Sequence, residues 1–197
     1  MTEIAYLLKS IDFNWSLLEI LAVIFSVVYV ILAARQNILC WTFAALSVIL
    51  YIYICYSANL YAETFLQVFY LYMAAYGYHN WGNSEKIKYY QLSAAKHILI
   101  IIIGGFLTFL FGFYFTTYTK AEMPIIDAFT SVFSIIATFL VIKKVLENWL
   151  YWIIIDIMSI YLYFSKELHL TSMLFVVYTM IAFFGYFSWL NQGKKNV

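Results

Sequence analysis

Residues 66–81 read LQVFYLYMAAYGYHNW, and residues 174–189 read LFVVYTMIAFFGYFSW. Set 108 positions apart, they pair Leu66 with Leu174, Val68 with Val176, Tyr70 with Tyr178, Ala74 with Ala182, Gly77 with Gly185, Tyr78 with Tyr186 and Trp81 with Trp189. The same register continues towards the N-terminus without a gap. It pairs Leu60 with Leu168, Ser57 with Ser165, Tyr53 with Tyr161, Trp41 with Trp149, and Phe25-Ser26 with Phe133-Ser134. An apolar alphabet supplies chance matches freely, but not gapless pairs of Trp, Gly and Ser, so the chain reads as an internal duplication. Ahead of that stretch, Glu19 meets Asp127.

Composition sets the class in which the duplication is built. The apolar set AVILMFWYC supplies 65% of the residues, charged residues supply 11%, and the mean hydropathy is +0.87. Soluble domains carry about 25% charged residues, and a soluble exterior could not be covered with so few. A basic nucleic-acid-binding surface and a disordered chain are excluded on the same ground, so no nucleic-acid partner is expected. Cys40 and Cys55 lie too far apart along one apolar stretch to form a disulfide, and read as small buried hydrophobes.

Runs long enough to cross a hydrocarbon core of ~30 Å fall at 15–34, 38–56, 60–81, 97–116, 123–142, 148–164 and 168–190. They are continuously apolar instead of alternating, which favours helices over barrel strands. The expected fold is all-α and integral to the membrane, with seven transmembrane helices arranged as 3+1+3. An N-terminal segment (1–14) precedes the first three-helix repeat (15–82). A connector holding the fourth helix (83–122), the second repeat (123–190) and a tail (191–197) follow. Three spans plus one connector bring both halves through the membrane in the same sense, as parallel repeats about an axis near the membrane normal.

Charge placement orients the bundle. Lys9, Lys120 and Lys166 fall on one side, and Arg35, Lys86, Lys88, Lys96, Lys143, Lys144, Lys194 and Lys195 on the other. The positive-inside rule puts the larger group in the cytoplasm, with the N-terminus outside and the C-terminus inside.

Residues three and four apart share a helix face. On the third span Glu63, Gln67, Tyr70, Ala74, Gly77 and Trp81 fall on one face, and on the sixth Trp149, Trp152, Asp156, Ser159 and Tyr163 do so. Asp156 lies near mid-span, where an ionisable group costs at least ~2.5 kcal/mol unless it faces the interior or water. The repeat partners of Trp152 and Asp156 are Ala44 and Val48, and those of Glu63 and Gln67 are Thr171 and Phe175. The scaffold is symmetric while its polar equipment is not. Small residues on the second span are expected to leave space opposite the Trp/Asp face of the sixth. Trp15, Trp81 and Trp189 read as interfacial anchors, and Gly105 and Gly112 as sites of close helix approach.

The sequence has no HExxH, GxSxG, CxxC or phosphate-cradling glycine loop, and its three histidines lack metal-ligand spacing. No enzymatic activity, cofactor or metal is expected. A retinal-type pigment is excluded because 168–190 contains no lysine, and a voltage sensor because the chain has one arginine.

The segment Asn148-Trp149-Leu150-Tyr151-Trp152-Ile153-Ile154-Ile155-Asp156 carries a WxxWxxxD pattern that resembles the PnuC family of bacterial nicotinamide riboside transporters. The stretch Leu60 to Gln67, followed by Tyr76-Gly77-Tyr78 and Trp81, is similar to that family's third helix, and Leu168 to Ser172 to the start of its seventh. The resemblance implies a doubled version of the SWEET sugar-transporter fold in the bacterial inner membrane. It also implies facilitated diffusion of a vitamin precursor that cytoplasmic phosphorylation then traps, and a homotrimer. Glu167-Leu168-His169 stands where the family carries Gly-Leu-Tyr, and the alternative cargo is thiamine, itself a flat cation with a hydroxyl tail, or another vitamin or nucleoside carried on the same scaffold.

The chemistry agrees with a flat cation carrying hydroxyls. Aromatic faces attract a desolvated cation by ~2 kcal/mol or more, and carboxylates accept hydrogen bonds from ribose hydroxyls. The candidate substrate-binding residues are Trp41, Glu63, Gln67, Tyr70, Trp149, Trp152, Asp156, Ser159 and Tyr178.

Overall fold

The computed structural model describes residues 17–57, 61–82, 89–118, 123–166 and 168–194, with the side chains of 61–63, 170, 193 and 194 excepted. The N-terminal segment 1–14, Trp15 and the Glu63 side chain lie outside the described residues. Seven helices make up the described chain: α1 (Leu17–Ala34), α2 (Leu39–Ser57), α3 (Tyr61–Gly82), α4 (Ala94–Tyr118), α5 (Pro124–Ile142), α6 (Asn148–Ser165) and α7 (His169–Lys194). Five of them, α1, α2, α4, α5 and α7, are long and apolar enough to cross a membrane. Polar and aromatic residues make α3 and α6 less apolar, and those two helices carry most of the sequence candidates.

Local chemistry sets the helix ends. Pro124 begins α5, where its missing N–H is no loss. At the end of α1 the Gln36 N–H donates to the Ala33 carbonyl and the Asn37 N–H to the Leu32 carbonyl. At the end of α5 the Lys144 N–H donates to Val141 and the Val145 N–H to Leu140. Both ends are Schellman caps. Their left-handed residues, Gln36 (φ 53°) and Lys144 (φ 54°), stand 108 positions apart. Before α4, Tyr90 pairs with the loop between α5 and α6 through Tyr90 N–H to Lys144 O and Leu146 N–H to Tyr90 O, each at 2.8 Å.

The contacts form a closed ring in which α1 packs on α2, α2 on α3, α3 on α5, α5 on α6, α6 on α7 and α7 on α1. Helix α4 lies outside the ring against α5. Gly104 and Gly112 supply its close approach: a methyl on Gly104 would lie 2.7 Å from the Phe133 ring, and one on Gly112 would lie 3.3 Å from the Ile125 backbone. Gly105, expected in that role, faces open space, because it sits about 100° round the helix from Gly104.

Four tryptophans anchor the core. Trp41 meets Trp81 edge to face at 5.4 Å, Trp149 meets Trp189 in the same way at 5.5 Å, and Trp81 lies 6.2 Å from Trp189. Trp81 and Trp189 are 5% and 0% exposed, so the reading of them as interfacial anchors is corrected. Their indole N–H groups donate to carbonyls of the facing helices, Trp81 to Ile142 at 3.1 Å and Trp189 to Ala33 at 3.0 Å. A buried partner removes the need for interfacial water. Cys40 and Cys55 are both buried, and neither is part of a disulfide.

Candidate functional site

A cavity of about 180 Å³ lies inside the ring, bounded by α1, α5, α6 and α7. Helix α6 presents Trp149, Trp152 and Asp156 to it, at the spacing that puts the three on one face. Helix α7 adds Phe175, Tyr178 and Ala182, helix α1 adds Ser26, Tyr29, Val30 and Ala33, and α5 adds Val141.

The aromatic walls are braced from behind. Phe175 stacks on Tyr163 with centroids 5.3 Å apart and planes at 11°, and it meets Tyr178 edge to face at 5.8 Å. Tyr29 packs at 6.0 Å on Trp41. The Ser26 hydroxyl donates to the Val23 carbonyl at 2.8 Å, so in its bond with Tyr178 the tyrosine hydroxyl is the donor. Trp149 is held against Gly185, where a methyl would lie 2.7 Å from its ring. Its indole N–H is buried and unpaired among the described residues.

Asp156 is 3% exposed. Among the described residues the sole salt bridge joins Lys166 to Asp127 at 3.2 Å, so no described cation neutralises Asp156. Among the described residues, the lining holds one carboxyl group, five aromatic side chains and no Lys or Arg. A carboxylate desolvated among ring faces attracts a cation and repels an anion.

Four of the nine candidates, Trp149, Trp152, Asp156 and Tyr178, meet in this cavity. Trp41 is buried at 2% behind Tyr29, with the Gly77 backbone against its ring, and does not line it. Ser159 is buried on α6 beyond Asp156, outside the lining. Tyr70 is hydrogen-bonded to Ser134 on α5, the counterpart of the Tyr178–Ser26 bond. Gln67, the counterpart of Phe175, is half-buried on α3 and also outside the lining. The Glu63 side chain lies outside the described residues.

The wall facing α6 is α1, not α2 as expected. Ala44 is instead packed into the core, because α2 is held between α1 and α3 and does not contact α6. Sequence reasoning missed Tyr29. Its repeat partner is Ala137, the same kind of large-for-small asymmetry that singled out Trp152 over Ala44.

Comparisons with known proteins agree with this architecture. The family described as nicotinamide mononucleotide transporter matches residues 16–191. The nicotinamide riboside transporter PnuC of Escherichia coli (strain K12) is 25% identical over 213 residues, spanning 93% of this chain and 88% of that protein. The transporter of the same name from Neisseria mucosa is 25% identical over 92% of this chain and 74% of its own length. That of Haemophilus influenzae is 22% identical over 91% and 82%. A crystal structure of the vitamin B3 transporter PnuC shares the fold, with a TM-score of 0.75 at 24% identity over 98% of this chain and 88% of that one. These relatives are transporters, not enzymes. With nearly its whole length matched, this chain belongs to the nicotinamide mononucleotide transporter family.

Proposed function

We propose that this chain takes up nicotinamide riboside across the bacterial inner membrane by facilitated diffusion, with cytoplasmic phosphorylation trapping the cargo. The observation that carries the reading is Asp156, buried among five aromatic rings with no described cation beside it. Nicotinamide riboside joins a cationic pyridinium to a hydroxylated sugar. The rings take the cation face-on, and Asp156 balances its charge or accepts from ribose hydroxyls. The names of the relatives support the same cargo. Facilitated diffusion fits helices that run unbroken past the cavity, since ion-coupled carriers often hold their ions at broken helices.

On this reading all seven helices span the bilayer, α3 and α6 with their polar faces turned inward. Helices α1–α3 and α5–α7 are parallel repeats joined by α4, in the manner of a full-length SWEET-like fold. Support comes from contacts that recur 108 residues apart, namely the Gln36 and Lys144 caps, the Trp41–Trp81 and Trp149–Trp189 pairs, and the Gly77 and Gly185 cradles. The charge distribution supports an external N-terminus and a cytoplasmic C-terminus. The assembly proposed is a homotrimer, after the family resemblance.

The test is calorimetric and thermal-shift titration of the purified protein with nicotinamide riboside, thiamine, riboflavin and nucleosides. Nicotinamide riboside at 100 times its Kd stabilises the fold by about 2.7 kcal/mol, and it should bind tightest of the set. Trp152→Ala should weaken it about tenfold, the equivalent of ~1.4 kcal/mol of lost cation–π attraction, and Asp156→Asn should weaken it too. Tighter binding of thiamine would overturn the cargo, and unchanged binding in both variants would overturn the site.

A further inference from the structure

On the face of α6 opposite Trp152 and Asp156, a second cavity of about 410 Å³ lies between α4, α5 and α6. Its polar groups gather at one end. His97 stands in the first turn of α4, Glu147 immediately precedes α6, and Tyr151 lies one turn further along. His97 Nδ1 and the Tyr151 hydroxyl are hydrogen-bonded at 2.9 Å, with the rings stacked at 5.8 Å. The other ring nitrogen, Nε2, is buried and has no described partner. Glu147 Oε2 accepts the Leu92 N–H at a long 3.4 Å, and no described cation pairs with the carboxylate.

Beyond that end the walls are apolar, formed by Ile101, Phe133, Ile154 and Ile155. At 1.5 Å per residue, Ile155 stands about 12 Å along α6 from Glu147. Ile101 and Ile154 are each 54% exposed, so the groove opens sideways on the outer surface of the bundle, where lipid chains lie. A groove polar at the helix starts and apolar towards mid-helix has the polarity profile of a single phospholipid.

We propose that this groove holds an aminophospholipid, with an acyl chain along Ile101, Phe133 and Ile154, the phosphate at His97 and the primary ammonium at Glu147. When Tyr151 donates to Nδ1, the imidazole is left with its proton on Nε2, and that N–H meets a phosphate oxygen. A primary ammonium brings N–H donors to the carboxylate. A choline headgroup has none, and a glycerol headgroup brings no positive charge.

The test uses the full chain, purified in detergent, delipidated and titrated in native mass spectrometry with dioleoyl phosphatidylethanolamine, phosphatidylcholine and phosphatidylglycerol. Phosphatidylethanolamine should bind about tenfold tighter than either of the others. Glu147→Gln should abolish that preference, and Ile154→Trp, which fills the groove, should weaken all three lipids. Equal affinities for the unmodified chain, a preference for phosphatidylglycerol, or no retained lipid would overturn the proposal. If Glu147→Gln does not fold, stepwise N-methylation of the phosphatidylethanolamine headgroup asks the same question of the unmodified protein. Affinity should fall with each N–H lost, and a flat series would overturn the proposal.

Discussion

The indole N–H of Trp189 donates to the carbonyl of Ala33, 3.0 Å away and 156 residues earlier in the chain. Trp81 makes the matching bond to Ile142 at 3.1 Å. Each bond ties the end of one helix to the C-terminal carbonyls of a helix from the other half of the chain. The two indoles lie 6.2 Å apart, which makes one closed aromatic plug at this end of the ring. The plug sits beside the cavity floor, since Ala33 and Val141 line the cavity within a residue of the two accepting carbonyls.

Trp189→Phe and Trp81→Phe should therefore each lower thermal stability while leaving helix content unchanged. The accepting carbonyls keep a second donor, the Gln36 N–H at Ala33 and the Asn80 side chain at Ile142. The loss expected is then ~1 kcal/mol per variant, at the lower end of the range for a broken buried hydrogen bond. Size-exclusion thermostability in detergent measures it, and an unchanged midpoint would remove the bonds from the account of what holds the halves together.

The glycine cradles should separate folding from binding. Gly77→Ala drives a methyl to 2.5 Å from the Trp41 ring, and Gly185→Ala drives one to 2.7 Å from Trp149. Overpacking of this kind costs about 1–3 kcal/mol, so both variants should melt earlier. Only Trp149 lines the cavity, so only Gly185→Ala should also change ligand affinity, by severalfold, in calorimetric titration. Equal effects on affinity would show that Trp41 reaches the ligand.

Gln36 is 5% exposed, has φ 53°, and neither its amide oxygen nor its amide nitrogen has a described partner. Gln36→Gly should raise stability by ~1 kcal/mol, because glycine adopts the left-handed cap without strain and carries no amide to desolvate. A lower melting temperature for Gln36→Gly would mean that the buried amide holds a partner.

Nicotinamide mononucleotide should bind at least about tenfold more weakly than the riboside. The described lining of the cavity offers a phosphate no Lys or Arg and sets Asp156 against it. Competition between the two ligands in a thermal-shift assay measures this, and equal affinities would require a cation outside the described lining.

The sequence alone determined the membrane class, the 108-residue register and the exceptional character of Asp156 and Trp152. Those features are properties of the chain. A bilayer admits long apolar helices, a duplication leaves a fixed offset, and a carboxylate in mid-helix must face inward wherever its neighbours are. Only the tertiary structure decided which aromatic residues share the cavity. Trp41 and Trp149 are equivalent by register, yet Trp149 lines the cavity while Tyr29 stands between it and Trp41. The same packing turned Trp81 and Trp189 into buried donors, and brought Ser26 and Tyr29 of α1 against α6 and α7. A helix in lipid is apolar on every side, so its periodicity names residues that travel together but not the helix they will face. The ring of contacts between helices supplied that choice.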